Sequence, residues 1–200
     1  EKSSQQPEKT GLTIEQMKSK IAVNVEPKDI LITPNKAVHS GKNSNGKGKV
    51  VIVSPQTQLD NGCIAEYFVY SKLIERYGKV KWISGNAQKV LNLTDVDDSK
   101  GFDMIYIDED NNERFVEVKS SQDKSVKIKI SKNEVETGLE NSNKYDIHFV
   151  NLNENQEPVK YSRIKNFFEF QEGEDFFNNS KFHVETDNYD IRAKISDMDD

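Results

Sequence analysis

Apolar positions are concentrated between residues 60 and 152, and their spacing changes from segment to segment. In the first segment they surround much of a helical circumference, which predicts a well-buried helix. Later segments alternate apolar and polar residues with a period of two, which predicts strands. The predicted order is helix, three strands, short strand, helix and strand, over residues 60–78, 79–84, 101–107, 113–119, 126–130, 131–140 and 145–152. This order predicts an α/β or α+β fold, with a central mixed sheet flanked by helices.

The segments on either side of this region are more polar. Residues 39–49 contain only polar, glycine and lysine residues, which predicts a flexible linker because such a composition buries too little apolar surface. We therefore expect an N-terminal extension and linker over residues 1–57, a central domain over residues 58–170, and a C-terminal hairpin appendage over residues 171–200.

Two local patterns refine the C-terminal half. Ser131 stands three residues before Glu134, which is the pattern of a capping box at a helix start. The apolar positions of residues 163–170 predict another helix, and residues 182–185 and 189–195 predict a terminal hairpin.

Composition narrows the class of protein. The hydrophobic fraction is 34% and the charged fraction 31%, so the core must lie in part of the chain. No run of about 18 apolar residues is present, which predicts no membrane span. Cys63 is the only cysteine, which excludes an internal disulfide and favours a reducing, cytoplasmic location. Because the sequence begins with Glu1, we expect an excised piece of a longer protein.

The hairpin predicted over residues 101–119 has a specific geometric consequence. A five-residue loop, 108–112, pairs Ile105 with Phe115 and Asp103 with Glu117. Directly opposed residues have Cβ atoms roughly 4.5–5.5 Å apart. Lys119 lies two residues beyond Glu117 and therefore points to the same face. Two carboxylates and one ammonium should share a small patch of the sheet.

Such a patch has a chemical and a structural interpretation. Two close carboxylates repel unless one is protonated or a cation lies between them. Asp103, Glu117 and the Val118 carbonyl could supply three oxygens for Mg²⁺ or Mn²⁺, which prefer oxygen ligands. Lys119 would position a metal-bound water or stabilise charge on a phosphate. Glu66 on the preceding helix is a candidate for an additional ligand, or for a hydrogen-bond acceptor just outside the ligands. The alternative is that these charges are ordinary solvated residues on the outer face of a sheet.

A basic strip over residues 114–132 is the second candidate feature. It holds six cations and two acids, a balance of 6 − 2 = +4 in a chain whose net charge is −6. Phosphate contacts require such local basic charge, even where the whole chain is acidic. The candidate contacts to nucleic acid are Lys124, Lys127, Lys129 and Lys132. Lysines that protect an edge strand from aggregation are the alternative.

Residue spacing offers little support for a zinc site or a phosphate-binding loop. The three histidines His39, His148 and His183 are widely spaced, which indicates no zinc site. The glycines between Gly41 and Gly48 lack the spacing of a phosphate-binding loop.

Four motifs in order resemble the PD-(D/E)xK nuclease superfamily and, more narrowly, the C-terminal domain named after the plant protein NO VEIN. They are AEYFVY (65–70), GFDM (101–104), FVEVKSS (115–121) and SKNEV (131–135), within residues 58–152. The resemblance implies a central mixed sheet flanked by helices, metal ligands at Asp103 and Glu117, the motif lysine at Lys119 and the first-helix acid at Glu66. Phe102 stands where the superfamily name has proline.

The resemblance also implies a context, because relatives occur in restriction, phage-defence and repair proteins, often fused to a helicase or ATPase. The leading hypothesis is a Mg²⁺-dependent DNA endonuclease domain. The alternatives are a catalytically inactive module that recognises nucleic acid or protein, and a structural domain that docks on a helicase or ATPase. The motif at Ser131 and Glu134 is interpreted first as a helix cap and second as a substrate contact.

Overall fold

The computed structural model describes residues 11–30, 54–123, 127–185 and 190–193. Its helices are α1 (Ile14–Ile21), α2 (Pro55–Tyr77), α3 (Gly85–Leu91) and α4 (Lys132–Glu140), with a 3-10 turn at Asp98–Lys100. Its strands are β1 (Pro27–Asp29), β2 (Val80–Trp82), β3 (Met104–Ile107), β4 (Glu113–Ser121), β5 (Lys127–Lys129), β6 (Tyr145–Leu152), β7 (Pro158–Ile164), β8 (Phe182–Glu185) and β9 (Asp190–Ala193). None of the described helices combines the length and apolarity needed to cross a membrane.

The long helix α2 has clear signals at both ends. The Ser54 side chain accepts a hydrogen bond from the backbone of Thr57, and Pro55 occupies the first helical position, where its missing N–H costs nothing. Gly78 ends the helix with a positive φ of 75°. The helix therefore begins five residues earlier than its apolar pattern predicts, because the cap and not the hydrophobic face sets its start.

The larger sheet is mixed, with the order β1-β7-β6-β4-β3-β2 among the described strands. Its centre is the parallel pair β4 and β6, and every residue of β6 is buried. One face packs against α2, with Ile64, Phe68, Val116 and Val118 in the cluster. The other face packs against α4 and an aromatic group around Phe168. The predicted mixed sheet flanked by helices is confirmed.

Several local predictions have clear outcomes. The antiparallel pairing of β3 with β4 and that of β8 with β9 are confirmed, as is the capping box of α4. The helix predicted over residues 163–170 is wrong. The strand β7 continues to Ile164 and is followed by a turn that places Phe167 and Phe168 in the core. Eight residues are too few for apolar spacing to separate a strand end and turn from a helix.

The segments outside the central region also contact it. β1 pairs in parallel with β7, and Met17 of α1 lies in the core beside α2. The C-terminal hairpin pairs with β5 to form a second sheet of order β5-β9-β8. The division into three domains stays a prediction, and the predicted linker over residues 39–49 lies outside the described residues.

Candidate metal centre

The β3–β4 hairpin has the predicted register. Ile105 pairs with Phe115, and β3 ends in the predicted loop, where the Asp108 side chain accepts the backbone N–H of Asn112 at 2.8 Å. The ladder stops at Met104, so Asp103 lies directly before the strand. The same register continued by one residue sets Asp103 opposite Glu117.

Two hydrogen bonds tie Asp103 to the neighbouring strand. Its backbone N–H donates to the Val116 carbonyl at 2.8 Å, and its Oδ2 accepts the Val118 N–H at 2.8 Å. The N–H and C=O of one strand residue project toward the same side of the strand. The Val118 carbonyl therefore points toward the side occupied by Asp103, beyond the end of β3.

Helix α4 positions the loop that leads into Asp103. Gly101 has a φ of 72°, and a Cβ there would lie 2.6 Å from Thr137 Oγ1 and 2.8 Å from the Asn133 carbonyl. The buried Tyr145 hydroxyl donates to the Gly101 carbonyl at 2.7 Å. Only glycine fits this combination of left-handed backbone and close approach. The loop is thus fixed from two sides immediately before the candidate ligand.

Glu117 and Lys119 lie on the central strand β4 and contact each other, with Glu117 buried and Lys119 partly buried. Lys119 Nζ is 2.7 Å from Glu117 Oε1 and 2.8 Å from Glu134 Oε2 of α4. The contact between Glu117 and Lys119 confirms that both point to the same face. The position of Glu134 shows that α4 contributes a second carboxylate to the lysine.

Burial dominates the electrostatics of these groups. Burial raises the pKa of Glu117 to about 8, although the neighbouring Lys119 partly offsets this effect. Burial, followed by the charges of Glu117 and Glu66, raises the pKa of Asp103 well above its ordinary value. Burial opposes the charge of Lys119, but Glu117 and Glu134 outweigh it and raise the lysine pKa. Lys119 therefore stays protonated, while the carboxylates resist ionisation without a compensating cation.

Glu66 has a different set of contacts from the other candidates. It is buried on α2, where its carboxylate accepts hydrogen bonds from Trp82 Nε1 at 2.9 Å, from Asn86 Nδ2 at 2.6 Å and from the Ser84 hydroxyl. Burial raises its pKa. These donors belong to β2 and the start of α3, so Glu66 fixes that connection. Its charge also raises the pKa values of Asp103 and Glu117, which indicates that the three acids share one electrostatic environment.

The partners of Glu66 were not predicted from the sequence. These partners occupy every second position from the end of β2 into the start of α3, at Trp82, Ser84 and Asn86. Polar residues that directly follow a buried strand often line a site, and this is the signal that could have identified Ser84 and Asn86.

The chemistry of the donor set fits a hard divalent cation. Burial and neighbouring acidic groups hold Asp103 and Glu117 away from their ionised forms, and the Val118 carbonyl projects to the same side. No group of three or more His, Cys, Asp or Glu side chains in the described residues is arranged to bind a metal ion. The candidate set is therefore two carboxylates and a carbonyl, which suits Mg²⁺ because Mg²⁺ keeps several water ligands.

Comparison with protein families is consistent with the resemblance of the motifs. The model of the family described as Protein NO VEIN, C-terminal, matches residues 65–164, which is half of the chain. The chain belongs to the NO VEIN C-terminal family. Neither the search of curated proteins nor that of solved structures finds a match. The matched segment of this NO VEIN C-terminal domain contains Glu66, Asp103, Glu117, Lys119 and Glu134. Membership of the wider PD-(D/E)xK superfamily stays a prediction.

The predicted basic strip of this NO VEIN C-terminal domain is described only in part. Lys124 lies outside the described residues, and Lys127 begins β5. Lys129 and Lys132 are exposed, and Lys132 lies 3.4 Å from Glu136 on α4. Between the strip lysines, Ile128 is fully buried. The strip stays a prediction, both as a nucleic-acid contact and as protection of an edge strand.

Proposed function

We propose that this chain is a metal-dependent nuclease domain that hydrolyses phosphodiester bonds in DNA. The observation that carries the proposal is the arrangement of Asp103, Glu117 and Lys119. Asp103, directly before β3, is hydrogen-bonded to β4, the buried Glu117 lies on β4, and a protonated lysine contacts Glu117. Buried groups with strongly raised carboxylate pKa values are typical of functional sites, because they cost stability that a purely structural position would avoid.

Each residue has a distinct role in this proposal. Asp103, Glu117 and the Val118 carbonyl would hold Mg²⁺ or Mn²⁺. The bound cation would polarise a phosphoryl oxygen and lower the pKa of a water molecule. Lys119 would donate hydrogen bonds to the phosphate as negative charge develops on it. Glu66 acts as a positioning residue, because its hydrogen bonds already fix the connection between β2 and α3.

The family resemblance supplies the proposed context. We infer a cytoplasmic restriction or phage-defence protein in which this domain acts on DNA beside a helicase or ATPase. The lysines of the basic strip, of which Lys129 and Lys132 are exposed, would contact phosphates outside the metal centre.

A second function is favoured by one specific observation. The net charge of −6 opposes tight binding to a polyanion. A catalytically inactive module for nucleic-acid or protein recognition would have the same fold and the same family membership. It would differ from the nuclease in one respect, which is that its metal centre would not catalyse DNA cleavage.

Plasmid cleavage with Mg²⁺ or Mn²⁺ tests the nuclease proposal. Glu117→Gln and Lys119→Met should each lower the cleavage rate at least about 100-fold, because each removes a group that acts on the transition state. Glu113→Gln is the matched control, since Glu113 is exposed on the same strand and should leave the rate unchanged. Equal cleavage by the wild type and both site variants would identify a contaminating nuclease and overturn the proposal. Salt-dependent DNA binding without cleavage would support the inactive module.

A further inference from the structure

Glu134 connects the start of α4 to the candidate centre. Its Oε2 accepts the Ser131 backbone N–H at 3.0 Å and lies 2.8 Å from Lys119 Nζ. Its own backbone N–H donates to the Ser131 hydroxyl at 3.2 Å. One carboxylate oxygen therefore completes the capping box of the helix and also binds the lysine of the centre.

Helix capping alone does not require the negative charge. Glutamine at this position completes a capping box as glutamate does, because both offer an oxygen to the backbone N–H of the cap residue. The charge of Glu134 has a separate partner in Lys119, and both side chains are 18% exposed. In this partly buried setting the ion pair is screened less than a surface pair would be.

The lysine is shared between two carboxylates, and only one of them is a candidate metal ligand. Lys119 Nζ lies almost equally far from Glu117 Oε1, at 2.7 Å, and Glu134 Oε2, at 2.8 Å. If Glu117 turns to a cation, Glu134 is the partner that keeps the ammonium in place. Without Glu134, the ammonium would pair with Glu117 alone and compete with the cation for that carboxylate. A lysine side chain has a flexible stem, so it needs such a fixed partner to stay in one position.

We propose that Glu134 is a positioning residue that holds the Lys119 ammonium beside the centre and leaves Glu117 available to a divalent cation. This inference rests on the proposed nuclease function. The Glu134 carboxylate then has a role in the candidate centre in addition to its role in the capping box of α4. The same helix contacts the loop before Asp103 through Asn133 and Thr137, so α4 supports both candidate strands of the centre.

Three variants separate the effect of the Glu134 charge from the effect of the α4 capping box. Glu134→Gln removes the charge and keeps the cap, whereas Ser131→Ala weakens the cap and keeps the charge. Glu136→Gln is the matched control, because it removes a carboxylate two positions away on the exposed side of α4. In calorimetric titration of the full chain with Mn²⁺, Glu134→Gln should weaken binding about 10- to 100-fold, as loss of a supporting contact typically does. Ser131→Ala and Glu136→Gln should bind Mn²⁺ as the wild type does.

A double-mutant cycle shows whether Glu134 acts through Lys119. In a Lys119→Met background, Glu134→Gln should have no further effect on Mn²⁺ affinity, because the competing ammonium is gone. An equal loss in both backgrounds would overturn the proposal, since Glu134 would then act on the cation directly. Wild-type affinity in the single Glu134→Gln variant would also overturn it.

The outcome for the wild type separates this inference from the function on which it rests. If the wild type binds Mn²⁺ and cleaves DNA while Glu134→Gln does both equally well, only the role of Glu134 is wrong. If the wild type binds no Mn²⁺, the metal-dependent function and the role of Glu134 are both wrong. In cleavage assays, Glu134→Gln should lower kcat more than it changes KM for DNA, because Lys119 acts on the reacting phosphate.

Discussion

Raising the pH should destabilise the metal-free protein through Glu117. This residue is 5% exposed, and burial raises its pKa from an ordinary 4.5 to about 8, with Lys119 partly offsetting the effect. Between these two values the folded state binds a proton that the unfolded state has lost. The stability that Glu117 contributes is fully present below pH 4.5 and is lost as the pH rises to about 8. The free energy of unfolding therefore decreases across this window.

The structure sets the size of the effect. The interval between 4.5 and about 8, at about 1.4 kcal/mol per pH unit, corresponds to at most about 5 kcal/mol, of which about 3 kcal/mol is lost by pH 7. Asp103 changes stability in the same direction, because burial and the charge of Glu117 also raise its pKa. Replacing Glu117 lowers the pKa of Asp103 as well, so a single variant reduces both contributions.

Urea unfolding in EDTA at about pH 5, 7 and 9 measures the effect. Glu117→Gln copies the shape of the protonated acid and cannot ionise, so its stability should exceed that of the wild type by an amount that grows by about 4 kcal/mol from pH 5 to pH 9. Glu113→Gln is the exposed control on the same strand and should follow the wild type at every pH.

Added Mn²⁺ should oppose the loss of stability at high pH. Only ionised carboxylates bind the cation, so the stabilisation by Mn²⁺ should increase with pH in the wild type and be absent in Glu117→Gln. Parallel pH profiles of the wild type and Glu117→Gln in EDTA would contradict a raised pKa of Glu117, because this residue would then have the same pKa in the folded and unfolded states.

Four further substitutions test the surrounding structure, each by urea unfolding. Gly138→Ala should destabilise by about 1–3 kcal/mol despite the helix preference of alanine, because a Cβ at this position would lie 2.0 Å from the ring of Phe168. A second substitution, Phe168→Leu, should cost less in the Gly138→Ala variant than in the wild type, and a stabilised Gly138→Ala variant would contradict the packing. Asp146→Ala should cost about 3–5 kcal/mol because it leaves the buried Arg114 without its carboxylate partner, and a neutral result would contradict this burial. Glu66→Gln should cost about 1–3 kcal/mol, since an amide donor then faces groups that are themselves donors, and wild-type stability would contradict that network.

The parts of the centre that lie close in sequence could be predicted. The five-residue loop and the period of two set the register of β3 and β4, because a slip by one residue would expose the apolar side chains of Met104 and Val116. The same period puts Lys119 on the face of Glu117. The spacing of Ser131 and Glu134 predicts the capping box, since both partners belong to one helical turn.

The parts that depend on distant segments could not be predicted. The contact between Glu134 and Lys119 requires α4 to pack against β4, and no local pattern reports that placement. The hydrogen bonds of Glu66 join α2 to Trp82 and Ser84, which lie 16 and 18 residues away. The pairing of β1 with β7 joins the chain across more than 130 residues through Asp29 and its neighbours.

Anomalous diffraction from crystals soaked in Mn²⁺ shows directly whether Asp103 and Glu117 bind one cation between them. We expect one peak at about 2.0–2.2 Å from carboxylate oxygens of both Asp103 and Glu117, with Lys119 Nζ turned toward Glu134. A fully soaked crystal with no peak between these two carboxylates would contradict this prediction.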